Sequence, residues 1–191
     1  LLDQWDPKLA KKVLTGVKPL ISPAYIIRSP HGFNKVDGLI QVLTPIWKAQ
    51  QAGKLDFKGT TLEEAHTRLR EFYCVGSFMA YEAVSDLQHT PVLNKASDTM
   101  TWAAAGPGAA RGLARILGED LRRFHYSNKK GQAEMLPLMQ ELLAASKKPS
   151  NWTDGWHLWD MRNVEHWLCE MDKYQRVFLG QGEPKQRYNG I

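Results

Sequence analysis

Between residues 34 and 52 the apolar side chains Val36, Leu39, Ile40, Leu43, Ile46 and Trp47 recur at steps of three and four, which lays one apolar face along a helix. Thr60 or Thr61, followed three residues later by Glu63 or Glu64, has the form of a capping box. Leu62, Ala65, Leu69 and Phe72 then carry the face of a second helix, which runs into Gly76. Phe78, Met79, Tyr81 and Leu87 resume helical spacing, so a hairpin between two helices is expected near residues 73–78.

A related pattern follows. Residues 90–101 read as a polar connector and Trp102–Ala105 as an apolar run. Gly106-Pro107-Gly108 is expected to forbid helix and to form a second glycine turn near 105–109, after which Leu113, Ile116, Leu117 and Leu121 return to helical spacing. A loop around Asn128 and Gly131, an amphipathic helix over 132–145 and a polar break at 147–151 come next. The last strong helix is expected over 159–179, closed by Gly180 and Gly182. No segment alternates as a strand does. The pattern predicts an all-α fold forming one helical domain over residues 1–191.

Composition narrows this only a little. With 191 residues and 43% hydrophobic content, the chain can bury one substantial core. Its formal charge of +5 favours an anionic partner such as nucleic acid, although many ordinary proteins share it. Cys74 and Cys169 are the only cysteines, so neither a disulfide framework nor a cysteine-based zinc site is indicated, and the chain reads as intracellular. The histidines show no His-x-x-x-His spacing, and no metal or other cofactor is expected. No apolar run approaches the ~20 residues that span a bilayer, so no membrane partner is expected.

The two glycine turns are the first elements with chemistry. A turn without a Cβ lets backbone N–H groups and a helix N-terminus approach a phosphate, and it holds DNA without reading sequence. Gly76 and Ser77 in the first turn, and Gly106, Gly108 and Arg111 in the second, are the candidate DNA contacts; Arg115, Arg122 and Arg123 add positive charge after the second. A plain helix–helix turn explains either one equally well.

The last helix supplies the candidate reactive groups. At 100° per residue Glu165, Cys169, Asp172 and Arg176 share a narrow stripe, with His166 and Lys173 on its flank and Val164, Trp167, Leu168, Met171 and Phe178 on the opposite, apolar side. Set into a concave site, that stripe would bring acid, base and cation together. A solvated surface with an Asp172–Arg176 pair, worth about 0.2–0.5 kcal/mol, is the plainer explanation.

Three segments carry a resemblance. LREFYCVGSFMAYEAVSDL (69–87), TWAAAGPGAARGLARILG (101–118) and DMRNVEHWLCEMDKYQRVFLGQG (160–182) resemble a helical family related to helix-hairpin-helix DNA glycosylases. That family comprises the α-glutamyl/putrescinyl thymine pyrophosphorylases, with the phage amino acid:DNA transferases and the helical domain of 5-hydroxymethyluracil DNA kinases. The resemblance implies a helix-hairpin-helix glycosylase-like fold and a phage-encoded enzyme working in the infected host's cytoplasm. Its substrate would be DNA containing phosphorylated 5-hydroxymethyluracil, and its co-substrate an amino acid or polyamine placed on the C5 methylene.

Asp172 lies in a run similar to the one holding the glycosylase aspartate, although the distance from Gly108 is much longer than in an ordinary glycosylase, which puts base excision in doubt. On this reading Asp172, Glu165 or His166 serves as general base, and Arg162, Lys173 and Arg176 bind the leaving phosphate. Trp156, Trp159, Trp167 or Tyr174 would stack on a base rotated out of the duplex. The chain has no Gly-x-x-x-x-Gly-Lys-[Ser/Thr] segment, so the transferase is preferred to the kinase. A kinase's DNA-binding helical domain and a DNA glycosylase are the alternatives.

Overall fold

The computed structural model describes residues 5–18, 20, 28–148, 150 and 158–183. Among these there are seven α-helices and no strand, as the pattern predicts. Trp156, expected to stack on a base, and part of the expected polar break at 147–151 lie outside the described residues. The chain divides into two compact units, Leu1–Ala96 and Ser97–Ile191.

The first unit holds α1 (Pro7–Thr15), α2 (Lys35–Gln51), α3 (Leu62–Leu69) and α4 (Ser77–Gln88). The sequence pattern does not foresee α1. It begins where the Asp6 carboxylate accepts the Lys8 and Leu9 N–H groups, with Pro7 at the first helical position, where its missing N–H costs nothing. A Lys11–Asp37 ion pair at 2.7 Å and the Trp5 indole donating to Thr44 tie this segment to α2.

The capping box of α3 forms as expected. Thr61 Oγ1 accepts the Glu64 N–H, and Glu64 Oε2 accepts the Thr61 N–H, each at 3.1 Å. Leu62, Ala65 and Leu69 of α3 and Ala80, Tyr81 and Val84 of α4 are buried as the two helices pack. Residues 70–76 connect the two helices.

The second unit holds α5 (Pro107–Leu117), α6 (Lys129–Ser146) and α7 (Met161–Phe178). Here one expectation fails. Gly106-Pro107-Gly108 does not interrupt a helix: Gly106 is the N-cap, and α5 starts at Pro107 because proline's fixed φ suits the first turn. Nor does a helix precede this turn. Ala103, Ala104 and Ala105 form a buried segment outside any helix. Its backbone is satisfied by side chains of α6: the Gln132 amide both accepts the Ala105 N–H at 3.0 Å and donates to the Ala105 carbonyl at 2.8 Å, and Gln140 donates to the Thr101 carbonyl. A glutamine thus does for this segment what a neighbouring strand would.

Small residues let α5 and α7 come close. A Cβ at Gly108 would sit 3.1 Å from Cβ and 3.2 Å from Cα of Cys169, with Sγ closer still. One at Gly112 would sit 2.9 Å from the Leu168 carbonyl carbon. Neither neighbour can retreat, since both belong to the α7 backbone or its first side-chain atoms. Leu113 from α5, Met135, Met139 and Leu143 from α6, and Met161, Val164 and Leu168 from α7 complete the buried apolar core.

Candidate functional site

The close crossing decides which side of α7 faces inward. Its buried residues are Met161, Val164, Glu165, Leu168 and Asp172. The expected division into a polar stripe and an opposite apolar side is therefore rotated: Val164 and Leu168 are buried beside the two carboxylates, while Trp167 and Phe178 face solvent. The cause is tertiary. An α5 face of glycine and alanine leaves room for carboxylates, and arginines on α5 supply their counter-charges.

Asp172 has no exposed surface. Its Oδ2 accepts from Arg111 Nε at 2.7 Å and its Oδ1 from Arg115 Nε at 2.9 Å. Arg115 also donates through Nη2 to Gln181 Oε1 at 2.8 Å, which ties the residues after α7 to the end of α5. Two guanidiniums on one carboxylate supply the hydrogen bonds that a buried charge requires. The Asp172–Arg176 surface pair does not form: Arg176 Nε is buried and has no hydrogen-bond partner among the described residues, and its stem packs against Gly182.

Glu165 occupies the other end of this seam. Its Oε1 accepts the Gly106 N–H at 3.3 Å and its Oε2 the Arg162 Nη1 at 3.0 Å. The α5 N-terminus, expected to receive a DNA phosphate, has a carboxylate of the chain itself against its cap residue. His166 is exposed on the next position of α7, and Lys173 is exposed with its ammonium on Glu170 at 2.5 Å. Cys169, between the two carboxylates, has its thiol pushed above the ordinary value, chiefly by burial, with nearby Glu165 adding to the rise.

Aromatic rings line the outer side of α7. Tyr174 and Phe178 stack at 6.0 Å and 12°, both more than 60% exposed, and Trp159 and Trp167 meet at 6.0 Å and a tilt of 50°. The expected stacking candidates Trp159, Trp167 and Tyr174 thus lie on this outer side or at its start, away from the carboxylates.

The hairpin of the first unit is built differently. Gly76 caps α4 with no side-chain bond, and among the described residues nothing lies within 4 Å of where a Cβ would stand. Ser77 opens α4 and is exposed. His66, buried on α3, places Nε2 3.1 Å from the Ser77 carbonyl oxygen and 3.2 Å from its hydroxyl. Because a carbonyl only accepts, Nε2 carries the proton and donates. Burial lowers the His66 pKa, the Ser77 bond opposes this, and Arg70 reinforces it. At the tip Cys74 takes φ +64°, a left-handed conformation that costs a non-glycine residue about 1 kcal/mol or more.

Sequence reasoning passed over His66, Gly112 and Gln181. The Gly108/Gly112 and Arg111/Arg115 pairs, each four apart on α5, carry a signal for a close crossing opposite a buried acid. Among the described residues no group of three or more His, Cys, Asp or Glu could hold a metal ion, and no helix is long and apolar enough to cross a membrane.

Compared with known proteins, the chain finds no matching curated protein and no matching solved structure. One family does match, described as "5-hmdU DNA kinase, helical domain", over residues 2–183, through both compact units. That membership implies a role in the modification of hydroxymethyluracil in DNA. With the match running over nearly the whole sequence, the chain belongs to the family of 5-hmdU DNA kinase helical domains.

Proposed function

We propose that the chain engages DNA carrying phosphorylated 5-hydroxymethyluracil and exchanges the phosphate, or diphosphate, for an amine such as an amino acid or polyamine. The observation that carries this reading is the α5–α7 seam, where Arg111 and Arg162 are each held by a buried carboxylate. The amine nitrogen forms a bond to the C5 methylene as the C–O bond to the phosphate breaks. The bonding pair leaves on the phosphate oxygen, and the amine gives up one proton. Fixed guanidiniums stabilise the charge that grows on the leaving oxygen. His166, exposed one turn from Arg162, takes the proton. The duplex is held at Gly76–Ser77, where open space admits a phosphate to the α4 amides.

Incubation of the chain with DNA containing the phosphorylated base and candidate amines, followed by mass analysis of the nucleosides, tests the reaction. An aminated nucleoside with matching phosphate release is expected. Retention of every phosphate with all amines rejects transfer. A second reading, the DNA-holding domain of a kinase, is favoured by the family's description and by the burial of Glu165 and Asp172, both held by arginines. It expects DNA binding without turnover.

A further inference from the structure

The Arg111 guanidinium spends only one of its nitrogens on Asp172. Nε donates to Oδ2, and among the described residues Nη1 and Nη2 have no partner, while the side chain is 35% exposed. Arg115 is placed differently: 11% exposed, it engages Asp172 through Nε and Gln181 through Nη2. A guanidinium presents its donors in a rigid planar fork, so fixing Nε fixes the direction of the outer edge. The single Asp172 carboxylate is shared by two guanidiniums, those of Arg111 and Arg115. Cation is therefore in excess by one over this carboxylate, and Asp172 has no exposed oxygen with which to take a substrate proton.

We propose that Asp172 is a positioning residue and that the Arg111 it orients is a phosphate-gripping group, binding two oxygens of a phosphate through Nη1 and Nη2. The inference rests on the reading that phosphorylated DNA is the ligand, and it removes Asp172 from the groups that touch substrate. Two sources offer the same chemistry, the phosphate monoester on the modified base and a phosphodiester of the backbone. A planar bidentate grip suits either, and a lysine cannot reproduce it.

The test uses the full chain and three duplexes of one sequence, carrying thymine, 5-hydroxymethyluracil or its phosphate ester, with binding and melting temperature measured together. Arg111→Lys keeps a cation for Asp172, so its melting temperature is expected to stay within about 3 °C of the unaltered protein. Its affinity is expected to fall about 10- to 100-fold. Loss confined to the phosphorylated duplex assigns the grip to the base; equal loss on all three assigns it to the backbone.

Asp172→Glu, which keeps the carboxylate but shifts it by a methylene, is expected to weaken binding in the same pattern with Arg111 intact. Unchanged affinity in Arg111→Lys overturns the proposal, as does a loss tracking the melting temperature alone. Failure of amine transfer with this binding pattern intact rejects the proposed reaction and leaves Arg111 and Asp172 in these roles.

Discussion

The two glycine turns look alike in the sequence and differ in what fills them. At Gly76 a Cβ would meet none of the described residues within 4 Å, whereas at Gly106 the Glu165 carboxylate takes the backbone N–H, and at Gly108 the Cys169 side chain and backbone stand in the way. The first turn is open to an outside partner. The second is closed by its own chain. Glycine in the first is not demanded by packing, so an approaching phosphate remains a reason for it; in the second it is demanded by a helix crossing.

The contrast breaks most readily at its closed end. Asp172→Ala removes the acceptor for two guanidiniums and leaves them in a partly buried place, a change expected to cost about 3–5 kcal/mol, toward the lower figure because Arg111 reaches solvent. Chemical denaturation measures it, and a loss under about 1 kcal/mol would mean the clamp is not formed in solution. Gly112→Ala is expected to cost about 1–3 kcal/mol, because the added methyl meets the Leu168 carbonyl. Equal stability of this variant and the unaltered chain would show the crossing to be looser than described.

At the open end the effects are smaller. His66 has its folded pKa lowered, so the unfolded chain binds a proton more readily, and stability present at neutral pH declines as pH falls below the ordinary value near ~6.5 toward the lowered one. His66→Gln, which does not titrate, should flatten that slope in a melting-temperature series across pH 7 to 5. Smallest in stability is Gly76→Asp. Aspartate is a good N-cap and its charge suits a helix N-terminus, so the fold should gain up to about 1 kcal/mol while DNA affinity falls. Tighter or unchanged DNA binding in that variant removes the first hairpin from the interface.

Much of the helix order was legible because α2, α3, α4, α6 and α7 carry periodic faces, and α3 a readable capping box as well. The start of α5 was misread at Pro107, where the same residue that breaks a helix interior begins one. The stripe of Glu165, Cys169, Asp172 and Arg176 was placed together correctly, yet its direction was not legible. Which side of α7 turns inward depends on α5 offering Gly108 and Gly112 for contact and Arg111 and Arg115 for charge, facts that belong to two helices at once.

α5 and α7 each close in a last turn whose carbonyl groups have no helical N–H partner further along. Each such carbonyl end is equivalent to roughly −0.5 of an elementary charge. Arg115 and Arg176 sit in those last turns and are partly neutralised by them. Arg111, in the middle of α5, is not. The field felt by an approaching anion thus differs from the map of formal charges: of the two arginines held by Asp172, the one whose charge is less discounted by the backbone is also the one with the more exposed side chain.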